Sequence, residues 1–304
     1  MPKYIYEYDN WPKFTWNDKE INLILGKVRH LQGKIFGKMG ALGFSIKEET
    51  MLSTLTTDVI KSSEIEGEFL NYEQVRSSIA RRLGLEYAGF VHIDKDVEGV
   101  VEMMLDATQN YDKELDHERI FGWNAALFPT GWSGMHRIDA GQYRDEEMQV
   151  VSGPMGKENV HYHAPAPNVV KKEMDKFLKW LNQETNIDEV LKSAIAHFWF
   201  IIIHPFDDGN GRIARAISDM LLARSEDNSQ RFYSLSNQIF TEKKKYYEVL
   251  QKVQHSSGNI TEWIVWFLNC LYRSLVNTEN TLKQVLKKSD FWDRTTFQKS
   301  VAII

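Results

Sequence analysis

Cysteines, long apolar runs and a secretory leader are scarce or missing in this sequence, and each scarcity excludes a class of protein. A single cysteine, Cys270, rules out a disulfide within the chain, and its apolar neighbours indicate a buried side chain. The longest apolar stretch, residues 198–203, is far shorter than the roughly 20 residues of a membrane span. The N-terminus lacks the basic start and apolar run of a secretory signal. We therefore expect a cytoplasmic protein that does not enter a membrane.

Charge of one sign is also scarce, because 37 basic and 42 acidic residues give a formal net charge of −5. The two signs are interspersed, so the sequence offers no basic tract for a nucleic-acid backbone. No nucleic-acid partner is expected. With 304 residues and 42% hydrophobic side chains, the chain can fill one large core or two ordinary ones. The sequence leaves open whether the chain forms a homo-oligomer.

Helical periodicity is what the sequence has in abundance. Apolar residues recur at intervals of three and four along these stretches: 21–39, about 49–66, 72–83, 117–127, 174–181, 189–203, 212–222, 243–253 and 260–275. One stretch differs, since 148–152 and 159–163 have strand character and flank a Gly-Pro turn, which predicts a β-hairpin over 147–164. The sequence thus predicts an all-α fold, a helical bundle with one small hairpin and an N-terminal helical extension.

A change of pattern near residue 95 divides the chain. We expect an N-terminal helical region at 1–95, a core that includes the hairpin at 96–275, and a C-terminal helical tail at 276–304. The chain ends abruptly on apolar residues, which favours a longer protein with a further module beyond this point.

The most distinctive chemistry lies in residues 204–215, His-Pro-Phe-Asp-Asp-Gly-Asn-Gly-Arg-Ile-Ala-Arg. Proline at 205 ends the preceding helix and so presents His204 at its exit. Gly209 and Gly211 allow backbone amides to turn toward an anion where the next helix begins. Two arginines, Arg212 and Arg215, lie three residues apart and can each reach a phosphate.

Together these groups are the set that nucleotidyl transfer requires. His204 has a side chain that can take a proton from an attacking hydroxyl near neutral pH. Asp208 can hold Mg²⁺ against phosphate oxygens, since Mg²⁺ usually takes one or two carboxylates beside phosphates and waters. The segment therefore predicts positioning and charge stabilisation of a polyphosphate.

Residues 204–215 resemble the Fic signature, His-Pro-Phe, any residue, Asp-Gly-Asn-Gly-Arg, any two, Arg, and match every fixed position. The resemblance covers about residues 52–275. It implies a protein adenylyltransferase that uses Mg²⁺ and ATP to place AMP on a Ser, Thr or Tyr hydroxyl of a target protein or of itself. The roles that it implies are His204 as general base, Asp208 as Mg²⁺ ligand, and Gly209, Asn210, Gly211, Arg212 and Arg215 as the phosphate site.

Two further stretches resemble parts of a Fic substrate site. The hairpin at 147–164 resembles the flap that pairs with a target protein as an added strand, with Val150 and Val151 as its clamp. Tyr246 and Tyr247 resemble a tyrosine pair that lines the adenine pocket, and ordinary core packing of the two rings is an equal alternative.

Residues 62–67, Ser-Ser-Glu-Ile-Glu-Gly, resemble the inhibitory motif of the family, on a helix at about 49–67. The motif residues are Ser62, Glu66 and Gly67. By this resemblance Glu66 pairs with Arg215 and takes the place of the γ-phosphate. A solvated carboxylate near a helix end is the alternative.

Two other functions stay open. One is a nucleotide-responsive regulatory or interaction module in which transfer is incidental. The other is a Fic enzyme that removes AMP or transfers a different phosphate-containing group.

Overall fold

The computed structural model describes the backbone of residues 3–40, 42–85, 91–152 and 159–301, and side chains as far as residue 283 except that of residue 152. Within these ranges it has a short 3-10 helix at Ile5–Glu7, eleven α-helices and four strands. The helices are α1 (Asp18–Gly40), α2 (Phe44–Ile65), α3 (Tyr72–Arg82), α4 (Lys95–Gln109), α5 (His117–Leu127), α6 (Pro167–Asn182), α7 (Glu189–Ile203), α8 (Asn210–Glu226), α9 (Leu235–Thr241), α10 (Lys243–Val253) and α11 (Thr261–Val301). The strands are β1 (Trp132–Ser133), β2 (His136–Arg137), β3 (Gln149–Ser152) and β4 (Asn159–His163). The predicted all-α fold is confirmed.

Helices α7 and α8 form the centre of the fold. α7 is apolar on nearly every face, as expected of a helix that is covered on all sides. It packs against α6, α8 and α11, and α8 also contacts α2, α4 and α5. The loop between α7 and α8 is thus held by the two most enclosed helices of the described chain. Among the described helices, none combines the length and apolar character needed to cross a membrane.

Several helix ends differ from the sequence prediction. α2 begins at Phe44, five residues before the predicted start, with Gly43 in extended conformation at its N-cap. α6 begins at Pro167, because a proline at the first helical position loses no hydrogen bond. α11 runs without a break from Thr261 to Val301, where the sequence had predicted a helix at 260–275 and a separate helical tail at 276–304. Helix α9 was not predicted at all.

The predicted hairpin is present as β3 and β4, which pair antiparallel. Val150 lies opposite Tyr162, and an irregularity in register follows at Val150/Val151. The predicted turn lies in 153–158, outside the described residues. A second hairpin, β1–β2, was missed because its strands are two residues long. Gly134, with φ 55°, occupies the first loop position, which favours glycine in type II′ turns.

One close helix contact in this fold yields a stability prediction. A Cβ at Gly99 of α4 would lie 1.7 Å from the carbonyl oxygen of Ala126 in α5. We expect Gly99→Ala to lower the free energy of unfolding by about 2 kcal/mol or more, as overpacking does. The matched control is Gly122→Ala on α5, where a Cβ would meet nothing within 4 Å. Alanine there should stabilise by about 0.5–1 kcal/mol. Denaturant unfolding of both variants measures the difference, and equal midpoints would contradict it.

Candidate active site

His204 ends α7 in an unusual backbone conformation. Its φ of 50° and ψ of 60° place it in the left-handed region, which few non-glycine residues adopt. Arg144 holds this conformation, because its Nε donates to the His204 carbonyl at 2.8 Å and its N–H donates to the Pro205 carbonyl at 3.0 Å. The backbone geometry therefore follows from contacts with the segment that leads into β3.

The His204 ring is set up as a neutral base. Its Nδ1 lies 3.3 Å from the Ile201 carbonyl oxygen, which can only accept, so Nδ1 carries the proton. Nε2 is then left with its lone pair, and the residue lines the main cleft. Burial lowers the pKa of His204 to about 4, against a smaller raising effect of the Ile201 hydrogen bond. The ring is consequently neutral at neutral pH, with Nδ1 protonated and Nε2 free of a proton.

The loop after His204 forms a compact turn at the N-terminus of α8. Asn210 closes it, since its side chain accepts from the Phe206 N–H at 3.0 Å and donates to the Phe206 carbonyl at 2.7 Å. Gly209 has φ 85° and lies just before α8, a conformation that favours glycine. The Asn210 side chain is thus committed to the loop, and backbone amides at the start of α8 remain to face an anion.

A carboxylate already lies at this helix start. A Cβ on Gly211 would be 2.0 Å from Oε1 of Glu66, so the carboxylate rests against the glycine. The same Oε1 lies 2.7 Å from Nη2 of Arg215. Ser62 adds two contacts, accepting from Arg215 Nε at its hydroxyl (2.9 Å) and from Nη2 at its carbonyl (2.7 Å). Arg215 is 1% exposed, and these contacts pair its Nε and Nη2, while its buried Nη1 has no hydrogen-bond partner among the described residues.

The turn after α2 brings a second carboxylate to the site. Gly67, with φ 88°, follows the helix, and the N–H groups of Gly67 and Glu68 bond back to the carbonyls of Glu64 and Ser63. This is the Schellman arrangement, in which a left-handed glycine reverses the chain. Glu68 then forms an ion pair with Arg212, which is 2% exposed. Both signature arginines are therefore paired with carboxylates of one short turn.

Asp208 is oriented by two neighbours. Its Oδ1 accepts from the Gly209 N–H at 2.5 Å, and its Oδ2 accepts from the hydroxyl of Ser133 in β1. Asn124 of α5 donates to the Asp208 carbonyl at 3.0 Å. The carboxylate lines the cleft, and no group of three or more metal-ligating side chains exists in the described part of the chain. A single oriented carboxylate fits Mg²⁺ that arrives with a polyphosphate.

The main cleft has a volume of about 640 Å³, which is in the usual range for small-molecule sites. Its lining includes residues from α2, the flap, the signature loop and α10: Glu66, Val150, Val151, His204, Asp208, Gly209, Asn210, Gly211, Tyr246 and Tyr247. The cleft thus brings together most residues that the sequence singled out. Ser62, Gly67, Arg212 and Arg215 are not among its lining residues.

The two tyrosines have different environments. Tyr246 is 2% exposed, and its hydroxyl lies 3.0 Å from Nε2 of the buried His197. Nδ1 of His197 lies 2.9 Å from Ser218, and burial lowers the pKa of His197 to about 3. Tyr247 is 41% exposed at the cleft. Tyr246 is therefore a packed core residue and Tyr247 has an exposed face, and contact of this pair with adenine stays a prediction.

Sequence reasoning missed four side chains that support the site: Asn124, Ser133, Arg144 as a support of His204, and Glu68. Gly67 was a usable signal for Glu68. A glycine that ends a helix reverses the chain, so the residue after it lies close to the last turn of that helix. The contacts of Asn124 and Ser133 with Asp208 join residues 84 and 75 positions apart, and no local sequence pattern predicts such contacts.

Two family models match the chain. Residues 4–85 match a model described as a domain of unknown function, DUF4172, and residues 114–222 match the Fic/DOC family. The first match contains α1 to α3, and the second contains the signature loop and the flap.

Curated relatives agree with the second match. A probable protein adenylyltransferase of Aquifex aeolicus is 27% identical over 166 residues, or 55% of this chain and 46% of that protein. The protein adenylyltransferase Fic of Nematostella vectensis is 24% identical over 278 residues, or 87% of this chain and 57% of that protein. The chain spans about half the length of these relatives.

A solved structure shares the fold. A Fic family protein from Desulfovibrio desulfuricans is similar over 89% of this chain and 77% of its own, with a TM-score of 0.65 at 22% identity. The chain and this protein therefore share a helical fold. The chain carries a Fic/DOC-family domain, preceded by a region that matches DUF4172.

Proposed function

We propose that this protein is an adenylyltransferase that transfers AMP from ATP to a Ser, Thr or Tyr hydroxyl of a target protein or of itself. The observation that carries the proposal is the placement of a neutral His204 beside an anion site that contains two buried arginines. The names of the two relatives above point to the same reaction.

In this reaction the hydroxyl oxygen attacks the α-phosphorus of ATP, and the bond from that phosphorus to the oxygen bridging to the β-phosphate breaks. Pyrophosphate leaves, and Nε2 of His204 takes the hydroxyl proton. Arg212, Arg215 and the amides at the start of α8 hold the phosphate oxygens, which positions the α-phosphorus and stabilises its charge. General-base catalysis of this kind contributes about 10²–10⁴-fold in rate.

Asp208 is the residue that would hold Mg²⁺. When bound with ATP, the ion would neutralise phosphate charge. The contacts from Ser133 and Gly209 keep the carboxylate pointing into the cleft before nucleotide arrives.

We also propose that Glu66 inhibits the enzyme. Its carboxylate lies at the start of α8 and on Arg215, where a phosphate of ATP would otherwise bind. ATP can bind productively only if this carboxylate moves or the nucleotide accepts a displaced position. Ser62 and Gly67 contribute by fixing Arg215 and the turn, respectively.

The transfer reaction is tested with ATP labelled at either the α or the γ position. The Glu66→Gly chain is incubated with Mg-ATP, alone and with a cell lysate, and proteins are separated under denaturing conditions. We expect stable label from α-labelled ATP and none from γ-labelled ATP. Label from the γ position would indicate a kinase instead, and release of AMP from a pre-labelled acceptor would favour the reverse reaction.

Glu68 provides a graded test of the arginine site. In the Glu66→Gly background, Glu68→Gln should tighten Mg-ATP binding by up to about fivefold, since a partly exposed ion pair contributes about 0.2–1 kcal/mol. Glu64→Gln is the matched control, because Glu64 lies in the last turn of the same helix but pairs with Lys61. Calorimetric titration with Mg-ATP measures both. Equal or weaker binding by the Glu68 variant would show that Arg212 does not contact the nucleotide.

The protonation state of His204 can be observed directly. Because folding favours the neutral ring and lowers the pKa to about 4, His204 should stay unprotonated as the pH falls from 8 to 5. Nitrogen NMR of labelled histidine, assigned with His204→Ala, should show an unchanged Nδ1–H tautomer over this range. A titration midpoint of His204 near pH 6.5 would contradict the burial of its ring.

A further inference from the structure

The first residues of the chain contact helices α6 and α10 of the core. The Ile5 side chain is 1% exposed, and its N–H donates to the Gln254 carbonyl at the end of α10 at 2.7 Å. The Trp11 indole N–H donates to Glu173 of α6 at 2.7 Å. The segment 3–16, which lies largely within the DUF4172 match, is therefore fastened to the core at two separate helices.

This N-terminal segment also contacts the flap. The Tyr6 hydroxyl donates to the His163 carbonyl at 2.9 Å. The Tyr4 ring stacks on His255, with centroids 4.7 Å apart, and meets the edge of the Tyr162 ring at 5.1 Å. Tyr162 in turn donates to the Ile202 carbonyl at 2.5 Å, two residues before His204. The segment thus reaches both the flap and the helix that carries the catalytic histidine.

These contacts occupy one edge of β4. Carbonyls of alternate residues in a strand point to the same edge, and those of His161 and His163 accept from the Gln254 side chain (2.8 Å) and from Tyr6. The other edge of β4 pairs with β3. Over the described residues this sheet has two strands, so the open edge belongs to β3, where Val151 is 46% exposed.

We propose that Tyr4 and Tyr6 are positioning residues for the flap. They hold β4 in place, and Tyr6 together with Gln254 covers its outer edge, so that an extended segment of a target protein adds to the flap along β3. A free strand edge is a template for pairing, and covering one edge leaves a single direction of docking. The consequence for catalysis rests on the adenylyltransferase function proposed above. The DUF4172-matching region would then contribute target positioning as well as the inhibitory turn.

Hydrogen exchange of the intact chain tests the support of the flap without any ligand. Tyr6→Phe removes only the hydroxyl that reaches His163, and amides of 147–152 and 159–164 should exchange about fivefold faster, the equivalent of one net hydrogen bond. Tyr4→Ala should have a larger effect, while α7 keeps its protection. The control is Tyr8→Phe, because Tyr8 is in the same segment but its ring lies under Lys3. Unchanged flap exchange in both test variants overturns the proposal.

The docking consequence is tested in the Glu66→Gly background with α-labelled ATP and a cell lysate. Tyr6→Phe and Tyr4→Ala should slow the labelling of protein while Mg-ATP affinity, measured by calorimetry, stays within twofold. Unchanged labelling together with faster flap exchange would overturn the role in docking. Since exchange needs no turnover, absence of label in every variant would count against the transferase function alone.

Discussion

Replacing Glu66 by glycine should raise the rate of AMP transfer to protein by about 10- to 100-fold. The carboxylate makes a charge-assisted contact with Arg215 and lies against Gly211, and such a contact contributes about 1.5–3 kcal/mol. ATP must displace it, and each 1.4 kcal/mol corresponds to about tenfold in an equilibrium. Initial rates with α-labelled ATP measure the gain.

The matched control is Glu64→Gly, which introduces the same residue at the same helix end but removes a carboxylate that pairs with Lys61. Its labelling rate should equal that of the unmodified chain. Glu66→Gly also leaves the buried Arg215 with fewer partners, so its melting temperature should fall without nucleotide and recover with Mg-ATP. A folded, ATP-binding Glu66→Gly chain with no gain in rate would remove Glu66 from its inhibitory role.

His204→Ala in the Glu66→Gly background should lower the rate of transfer by about 10²–10⁴-fold, the usual contribution of a general base. Mg-ATP affinity should change little, because the phosphate site is built from Arg212, Arg215 and the start of α8. Rates and calorimetric affinities measured on the same preparation separate the two effects. Transfer that persists at the parent rate would mean that another group takes the hydroxyl proton.

The segment 204–215 was readable from sequence because its chemistry is contiguous. A proline that ends one helix, a left-handed glycine and a new helix start are local features, and α7 was predicted with its observed bounds. The same holds for Gly67, whose position after a helical stretch predicts the turn that the structure shows.

What could not be predicted depends on contacts between distant elements. The left-handed backbone of His204 relies on Arg144, and the orientation of Asp208 relies on Ser133 in a hairpin with two-residue strands. The contact of Tyr6 with the flap joins residues 157 positions apart. The sequence also predicted the helix at 260–275 and the tail at 276–304 as separate elements, whereas the structure has one continuous α11.

Transfer of AMP to protein is tested most directly by the mass of the acceptor after incubation of the Glu66→Gly chain with Mg-ATP. The acceptor is either the chain itself or a lysate protein that takes up label. We expect a gain of one AMP on a Ser, Thr or Tyr side chain, and no gain with His204→Ala. A folded, Mg-ATP-binding Glu66→Gly chain that adds AMP neither to itself nor to any lysate protein would contradict it.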